Sequence, residues 1–345
     1  MNAESEVVAV AGILSRCYRI VPASVVDGPR GTATRNYLAR ERDSRRWFVK
    51  VYPPGTDLQG EQEALRLGEF ARGSGVPVPA VRRSPAGELI VTAEGTAVSV
   101  CEYVDGAHTA EAGLHGRRWA AVGEAVGALH RALARHPAGS PRPVPASEVC
   151  DVARARRRLE RLLALYGRGT TADGEFAAWA RRAAEERFAA LPRVATVVGG
   201  LPPMLTAQIV HGDLASPNVL LREQEVAGLI DFRPPRHRSA AWELGRIVLD
   251  PRTVLAGPGW PAGLAEAVAA YREANSGLPL VDLLAVPRVA TGYMACSVYP
   301  LSEPVDHPAA VTPELERYGR ARHAAVRVLT ERLAEAEEVL RDRLA

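Results

Sequence analysis

Polar and apolar positions change their period near residue 104, and that change divides the chain. Residues 4–17 predict a short leading helix with Val7, Val8, Ala11 and Leu14 on one side. A loop from Gly28 then runs into a strand, turns at Asp43-Ser44 and returns through Trp47-Phe48-Val49-Lys50-Val51-Tyr52. That run, rich in aromatic and branched residues, completes a hairpin. Helical spacing from Gln59 to Arg72 is broken by Gly75-Val76-Pro77-Val78-Pro79, and two further strands follow at 88–92 and 97–103. Beyond Asp105-Gly106 the period is helical: Trp119, Val122, Val126, Leu129 and Leu133 form one stripe within Arg117–His136. Four prolines between Pro137 and Pro145 end that element, and helices are expected at 148–166 and 173–190. Short strands at 208–211, 218–222 and 226–231 precede a helical remainder.

The pattern therefore predicts an α+β protein of two parts: a strand-rich part, 1–103, and a larger helical part, 104–345, with a cleft between them as the natural ligand site. A length of 345 residues agrees with two domains at ~150 residues each. Hydrophobic residues at 47% and charged residues at 24% exclude a mostly disordered chain. No apolar run reaches the ~18 residues of a membrane helix, and the opening Met1-Asn2-Ala3-Glu4-Ser5-Glu6 lacks the basic start of a secretory signal. Cys17, Cys101, Cys150 and Cys296 include no close pair, so neither a zinc knuckle nor a disulfide scaffold is indicated, and a reducing, cytoplasmic setting is expected. A net charge of +3 does not signal nucleic acid. Arginines alternate with glutamates, as in Arg154–Arg161 and Glu331–Arg343, which marks solvated helix faces.

The chemistry-bearing stretch is Ile209-Val210-His211-Gly212-Asp213-Leu214-Ala215-Ser216-Pro217-Asn218-Val219-Leu220-Leu221, followed by Gly228-Leu229-Ile230-Asp231-Phe232. Asn218 to Asp231 reads as a hairpin with its turn near Arg222–Glu225, which brings Asp213, Asn218 and Asp231 to one end. An amide oxygen and a carboxylate there are hard ligands suited to magnesium. A second carboxylate can orient a hydroxyl and accept its proton during phosphoryl transfer. Lys50 is the only lysine among 43 basic residues and sits in a hydrophobic strand. Its compact ammonium suits a phosphate contact that arginine makes differently. Glu63, on the stripe of Leu67 and Phe70, is its expected partner; Glu61 on the same helix competes for that role.

With these residues in place, the sequence resembles the aminoglycoside phosphotransferase and choline kinase family, a branch of the protein-kinase-like fold, from about residue 28 to 300. The resemblance implies a bilobal fold, ATP as donor (GTP not excluded) and Mg2+. It implies Asp213 as catalytic aspartate, Asn218 and Asp231 as metal ligands, and Lys50, anchored by Glu63, on the α and β phosphates. His211 would brace the catalytic loop. Cys101-Glu102-Tyr103-Val104 would be the linker whose backbone meets adenine, and Leu129-His130 a structural pair. Departures are visible. The phosphate-covering loop, Gly31 to Asn36 with Thr32 and Thr34, is not Gly-x-Gly-x-x-Gly. Ala215 stands where relatives carry histidine, and Arg233 stands where glycine follows in related kinases. Glu243-Leu244-Gly245 replaces Asp-Leu-Ala, with Glu243 expected to brace the loop.

The implied partner is a small-molecule hydroxyl acceptor, not a nucleic acid or a membrane, on a monomer or homodimer. His-Arg-Asp, Asp-Phe-Gly and Ala-Pro-Glu, the marks of a protein kinase, are missing. The expected acceptor is an antibiotic of aminoglycoside or nucleoside/sugar type, as resistance or self-protection. The alternatives are a kinase of choline, homoserine or methylthioribose type, or a non-catalytic nucleotide-binding module. Glu266, Glu273, Asp282, Glu303 and Asp306 would suit a cationic acceptor, whereas Arg233, Arg236, His237 and Arg238 favour a less cationic one. Tyr293 and Tyr299 are candidates for an aromatic wall, or equally for core.

Overall fold

The computed structural model describes residues 3–29, 34–168 and 174–345, which form two compact units. The first takes in residues up to His108 together with His211–Asp213 and Asn218–Arg236. Its sheet runs in the order Pro22–Asp27, Arg35–Glu41, Arg46–Tyr52, Thr96–Glu102, Val81–Arg82, and Ile90–Ala93 also pairs with Thr96–Glu102. All pairs are antiparallel. Because side chains alternate along a strand, Trp47, Val49 and Val51 face a core shared with Tyr37, Ala39, Val98 and Val100, while Phe48 and Lys50 face the other way. Lys50 stands opposite Asn36 on one neighbour and Ser99 on the other; Phe48 stands opposite Leu38 and Cys101.

The leading helix, Ala3–Tyr18, covers the core face through Val10, Ile13, Leu14 and Tyr18. Of the expected stripe, Leu14 lies in this core and Val7 packs against it, but Val8 turns outward and is 71% exposed. Larger side chains at 10, 13, 14 and 18 repeat at helical spacing and bury more apolar surface, which fixes the rotation. The Tyr18 hydroxyl, donating to the Val98 carbonyl at 2.7 Å, fastens the helix to the sheet.

The hairpin pairs Val219–Arg222 with Glu225–Leu229, with a register shift between Leu220 and Leu221. Its base joins the rest of the unit through Leu229 N–H on the Pro77 carbonyl at 2.7 Å.

The second unit is mostly helical and comprises Thr109–Val210, Leu214–Pro217 and His237–Ala345. Its centre is the crossing of Arg118–Leu133 with Trp260–Ala274, where a Cβ at Gly123 would lie 1.9 Å from the Ala267 carbonyl oxygen. Only glycine allows that approach. A small antiparallel sheet sets Met204–Ile209 between Arg142–Pro145 and His237–Ser239. The expected helix at 173–190 is Glu175–Ala189, with residue 173 outside the described residues, and a second helix, Leu191–Gly199, follows it. Pro192 is tolerated there because it occupies the first turn. Among the described residues no helix is long and apolar enough to cross a membrane.

Candidate active site

The expected catalytic loop is held by the histidine that opens it. His211 is fully buried; its Nε2 donates to the Ile230 carbonyl at 2.8 Å and its Nδ1 accepts from the Asp213 N–H at 3.3 Å. Its ring lies against Phe232, centroids 4.2 Å apart, and its carbonyl accepts from Arg233 N–H at 2.9 Å. Both ring nitrogens are thus engaged with backbone of the loop and of the hairpin strand that follows it. Gly212 has φ +89°, and a Cβ there would sit 2.9 Å from that of Arg233. The glycine thus permits both the turn and the close passage of the two segments.

Asp213, Asn218 and Asp231 converge in this unit. Asn218 Nδ2 donates to the Asp213 carbonyl at 2.8 Å, and the Asn218 carbonyl accepts from Ile230 N–H at 3.0 Å. With its Nδ2 engaged there, Asn218 offers its amide oxygen as the atom for a cation. Asp231 has φ +64°, a left-handed conformation that a non-glycine residue holds at a cost of about 1–3 kcal/mol. The turn ends the hairpin strand and delivers the carboxylate to Lys50, whose ammonium is hydrogen-bonded to Asp231 Oδ1. Burial works against the charge on Lys50, but the Asp231 carboxylate outweighs it and holds the ammonium above the ordinary lysine range. An amide oxygen and a carboxylate oxygen are a donor set that fits magnesium, which keeps waters and phosphate oxygens. Among the described residues no group of three His, Cys, Asp or Glu side chains forms a metal cage of its own.

The structure brings Lys50 to Asp231 and not to Glu63, which accepts instead from Gln59 Nε2 at 3.4 Å. Glu61 acts on Lys50 through its field, supporting the charged form after Asp231 and Cys101. Cys101 shares the face of Phe48 and Lys50; burial pushes its thiol up to about 11, with Lys50 opposing, so it stays protonated. In the linker, Glu102 N–H donates to the Ala80 carbonyl and Tyr103 N–H to the Arg46 carbonyl, so both amides are engaged. The Tyr103 ring lies 4.5 Å under the Arg46 guanidinium. A cavity of about 630 Å³ is lined by Pro77, Val78, Glu102, Tyr103, Asp105 and Arg222, and Lys50, Asp213, Asn218 and Asp231 are not among its lining residues. Thr34 donates to Asn36 Oδ1 at 2.8 Å, closing the base of the expected phosphate loop; Thr32 lies outside the described residues.

Arg233 does not simply face outward. Its Nη2 donates to Asp213 Oδ2 at 3.0 Å, which holds the carboxylate of the expected catalytic residue. Arg236 is exposed. In the second unit Arg238 stacks over Trp242 at 5.0 Å, and Tyr293 meets the same indole edge-on at 5.5 Å. Trp242, which links these two candidates, gave no sequence signal beyond its helical stripe. Tyr299 is 43% exposed, with its ring 6.3 Å from Tyr318. Glu243 is fully buried and accepts from His130 Nε2 at 3.1 Å, while His130 Nδ1 takes the Tyr271 hydroxyl at 2.8 Å.

The model of the phosphotransferase enzyme family matches residues 26–284, most of the chain. No protein of curated function matches the chain in sequence. Among solved structures, a spectinomycin phosphotransferase in complex with ADP and spectinomycin is 15% identical, with TM-score 0.62, over 94% of this chain and 98% of its own. An amicoumacin kinase in complex with AMP-PNP, Ca2+ and amicoumacin is 14% identical, with TM-score 0.61, over 95% and 96%. A microcompartment-associated aminopropanol kinase is 18% identical, with TM-score 0.58, over 96% and 98%. At these identities the likeness establishes the fold: two units, one strand-rich and one helical, of the kinase-like kind.

Proposed function

The chain belongs to the phosphotransferase enzyme family, and from that premise we propose that it transfers the γ-phosphoryl group of ATP to a hydroxyl of a small molecule, with Mg2+. The proposed acceptor is an antibiotic of aminoglycoside or nucleoside/sugar type. The observation that carries the reading is the meeting of Lys50, Asp213, Asn218 and Asp231 in one unit. The Asp213 carboxylate orients the acceptor hydroxyl and takes its proton, while Arg233 holds that carboxylate through Oδ2. Lys50 donates to phosphate oxygens of the nucleotide. Asn218 and Asp231 would hold magnesium, which when bound neutralises charge on the phosphoryl oxygens. Nucleotide binding is assigned to residues 1–103, and catalysis with acceptor binding to 104–345. That split is one of function; the loop and hairpin that carry Asp213 and Asp231 pack with the first unit. Four free thiols suit a reducing compartment, and the cytoplasm is the proposed location.

The antibiotic reading is supported by the kinds of acceptor named for two structures of the same fold, and a metabolite kinase is its competitor. Mass spectrometry of a panel decides between them: aminoglycosides, nucleoside antibiotics, choline, homoserine and methylthioribose, incubated with enzyme, Mg2+ and ATP or GTP. The expected result is one product gaining a phosphoryl mass, with its rate reduced about 10²–10⁴-fold in Asp213→Asn. No product in any arm, together with no Mg·ATP binding by calorimetry, overturns the reading.

A further inference from the structure

Two helices of the second unit carry an arginine on their buried stripe. Arg187 follows Ala183 and Ala184 in Glu175–Ala189, and Arg322 lies between Gly319 and Ala325 in Pro313–Glu331. They are 4% and 5% exposed, and neither is in ion-pair contact with a carboxylate among the described residues. Arg187 Nη1 donates to the carbonyls of Met294 at 3.1 Å and Ser297 at 2.6 Å, while its Nε and Nη2 have no partner. Arg322 Nη1 donates to the Tyr318 hydroxyl at 3.2 Å, its guanidinium lies 5.6 Å over Tyr293, and its Nε is also without a partner. The two contact neighbouring residues of helix Leu280–Cys296 and its end, so they share one region. Burial, with the Arg322 charge adding to it, pushes the Arg187 guanidinium down to about 9.

We propose that this guanidinium pair is a binding site for a compact oxyanion, a carboxylate or phosphate group seated on the Nε–Nη2 edge of Arg187 with Arg322 supplying the second charge. The unpartnered edge presents two parallel N–H groups, the fork that matches two oxygens of such a group. Water would satisfy the hydrogen bonds but would leave two like charges uncompensated in a dry interior, where each depends on a counter-charge. His323, next along the helix, adds a buried Nδ1 without a partner, while its Nε2 is held by Glu186 at 3.0 Å. Tyr293 under Arg322 ties the site to the aromatic positions considered for the acceptor. The oxyanion is carried either as a free ion or as a substituent of the acceptor. Only that second source rests on the phosphotransfer reading.

Calorimetric titration of the full chain with inorganic phosphate, against chloride at equal ionic strength and without nucleotide or acceptor, tests the site. Saturable binding is expected, weakened roughly ten- to a hundredfold in Arg187→Met and in Arg322→Met. It is expected unchanged in Arg193→Met, which alters an exposed guanidinium on the next helix. Arg322→Met removes one hydrogen bond and the contact with the Tyr293 ring but none of the Arg187 bonds to the Met294 and Ser297 carbonyls, so it keeps the test open where Arg187→Met disturbs the fold. Absence of saturation, or equal binding by all variants, overturns the proposal. It would leave phosphotransfer untouched, since neither nucleotide nor acceptor is present. Repeating the titration with a phosphorylated-panel acceptor added assigns the source: competition means a substituent of the acceptor, and independent binding means a free ion.

Discussion

At the scale of single residues, the site is governed by which atom each polar group engages. Asp213 has one carboxylate oxygen on Arg233 and its carbonyl on Asn218, so its orientation is set from two sides. Removing the guanidinium frees that rotation, and small misplacements at a reacting centre are costly. Arg233→Ala is expected to lower kcat about tenfold to a hundredfold with little change in nucleotide KM, and Arg233→Lys to restore part of it, as a point charge without the fork. Steady-state kinetics with the identified acceptor checks this. An unchanged kcat with a raised acceptor KM would move Arg233 from holding the base to binding the acceptor. The meeting of Lys50, Asp213, Asn218 and Asp231 was legible because each sits in a short local pattern: a lone lysine among apolar strand residues, and three polar groups at the ends of a hairpin. The partner of Lys50 was not, because it depends on how helix Leu58–Gly73 is set against a strand, which spacing within the helix does not encode. Arg187 and Arg322 left only a faint trace, an arginine at a position where the helical stripe calls for an apolar side chain.

Among the elements, helix Ala240–Val248 shows how buried polar groups lock one packing. Ser239 caps it by accepting from Trp242 N–H at 3.3 Å, and every residue but Arg246 is buried. Glu243 reaches His130 on helix Arg118–Leu133, and Tyr271 closes the other ring nitrogen, with all three side chains out of water. Glu243→Ala leaves the imidazole N–H without its acceptor in a dry site and is expected to destabilise the protein by about 1–3 kcal/mol in chemical denaturation. Glu243→Gln, which retains an acceptor, should lose roughly 1 kcal/mol. A near-neutral Glu243→Ala would show that the contact is incidental. Elements with one strongly apolar face were readable from the sequence, as with Arg118–Leu133. Pro22–Asp27 was not: none of its residues is fully buried, so it presents no alternation. Arg142–Pro145 was read only as a proline break. Its prolines lack a donor, which suits an edge strand and is opaque to propensity.

For the molecule as a whole, sequence distance and unit membership part company. Lys50 and Asp231 are 181 positions apart, yet both belong to the first unit, because His211–Asp213 and Asn218–Arg236 leave the helical part of the chain to pack with the sheet. All the groups proposed to meet Mg·ATP therefore stabilise the same unit when they bind. At a ligand concentration 100 times Kd that stabilisation is about 2.7 kcal/mol. Hydrogen exchange is the direct readout. Mg·ATP should slow exchange in Arg46–Tyr52 and in Val219–Asp231 together, and leave helix Trp260–Ala274 of the other unit nearly unchanged. Chelating the metal, or Asp231→Asn, should remove most of the protection in both segments at once, since the proposed metal ligand is also the partner of Lys50. Protection confined to the lysine strand, with the hairpin exchanging as before, would mean that the nucleotide is held without Asn218 and Asp231. The metal assignment would then fall, although the fold and the family would stand.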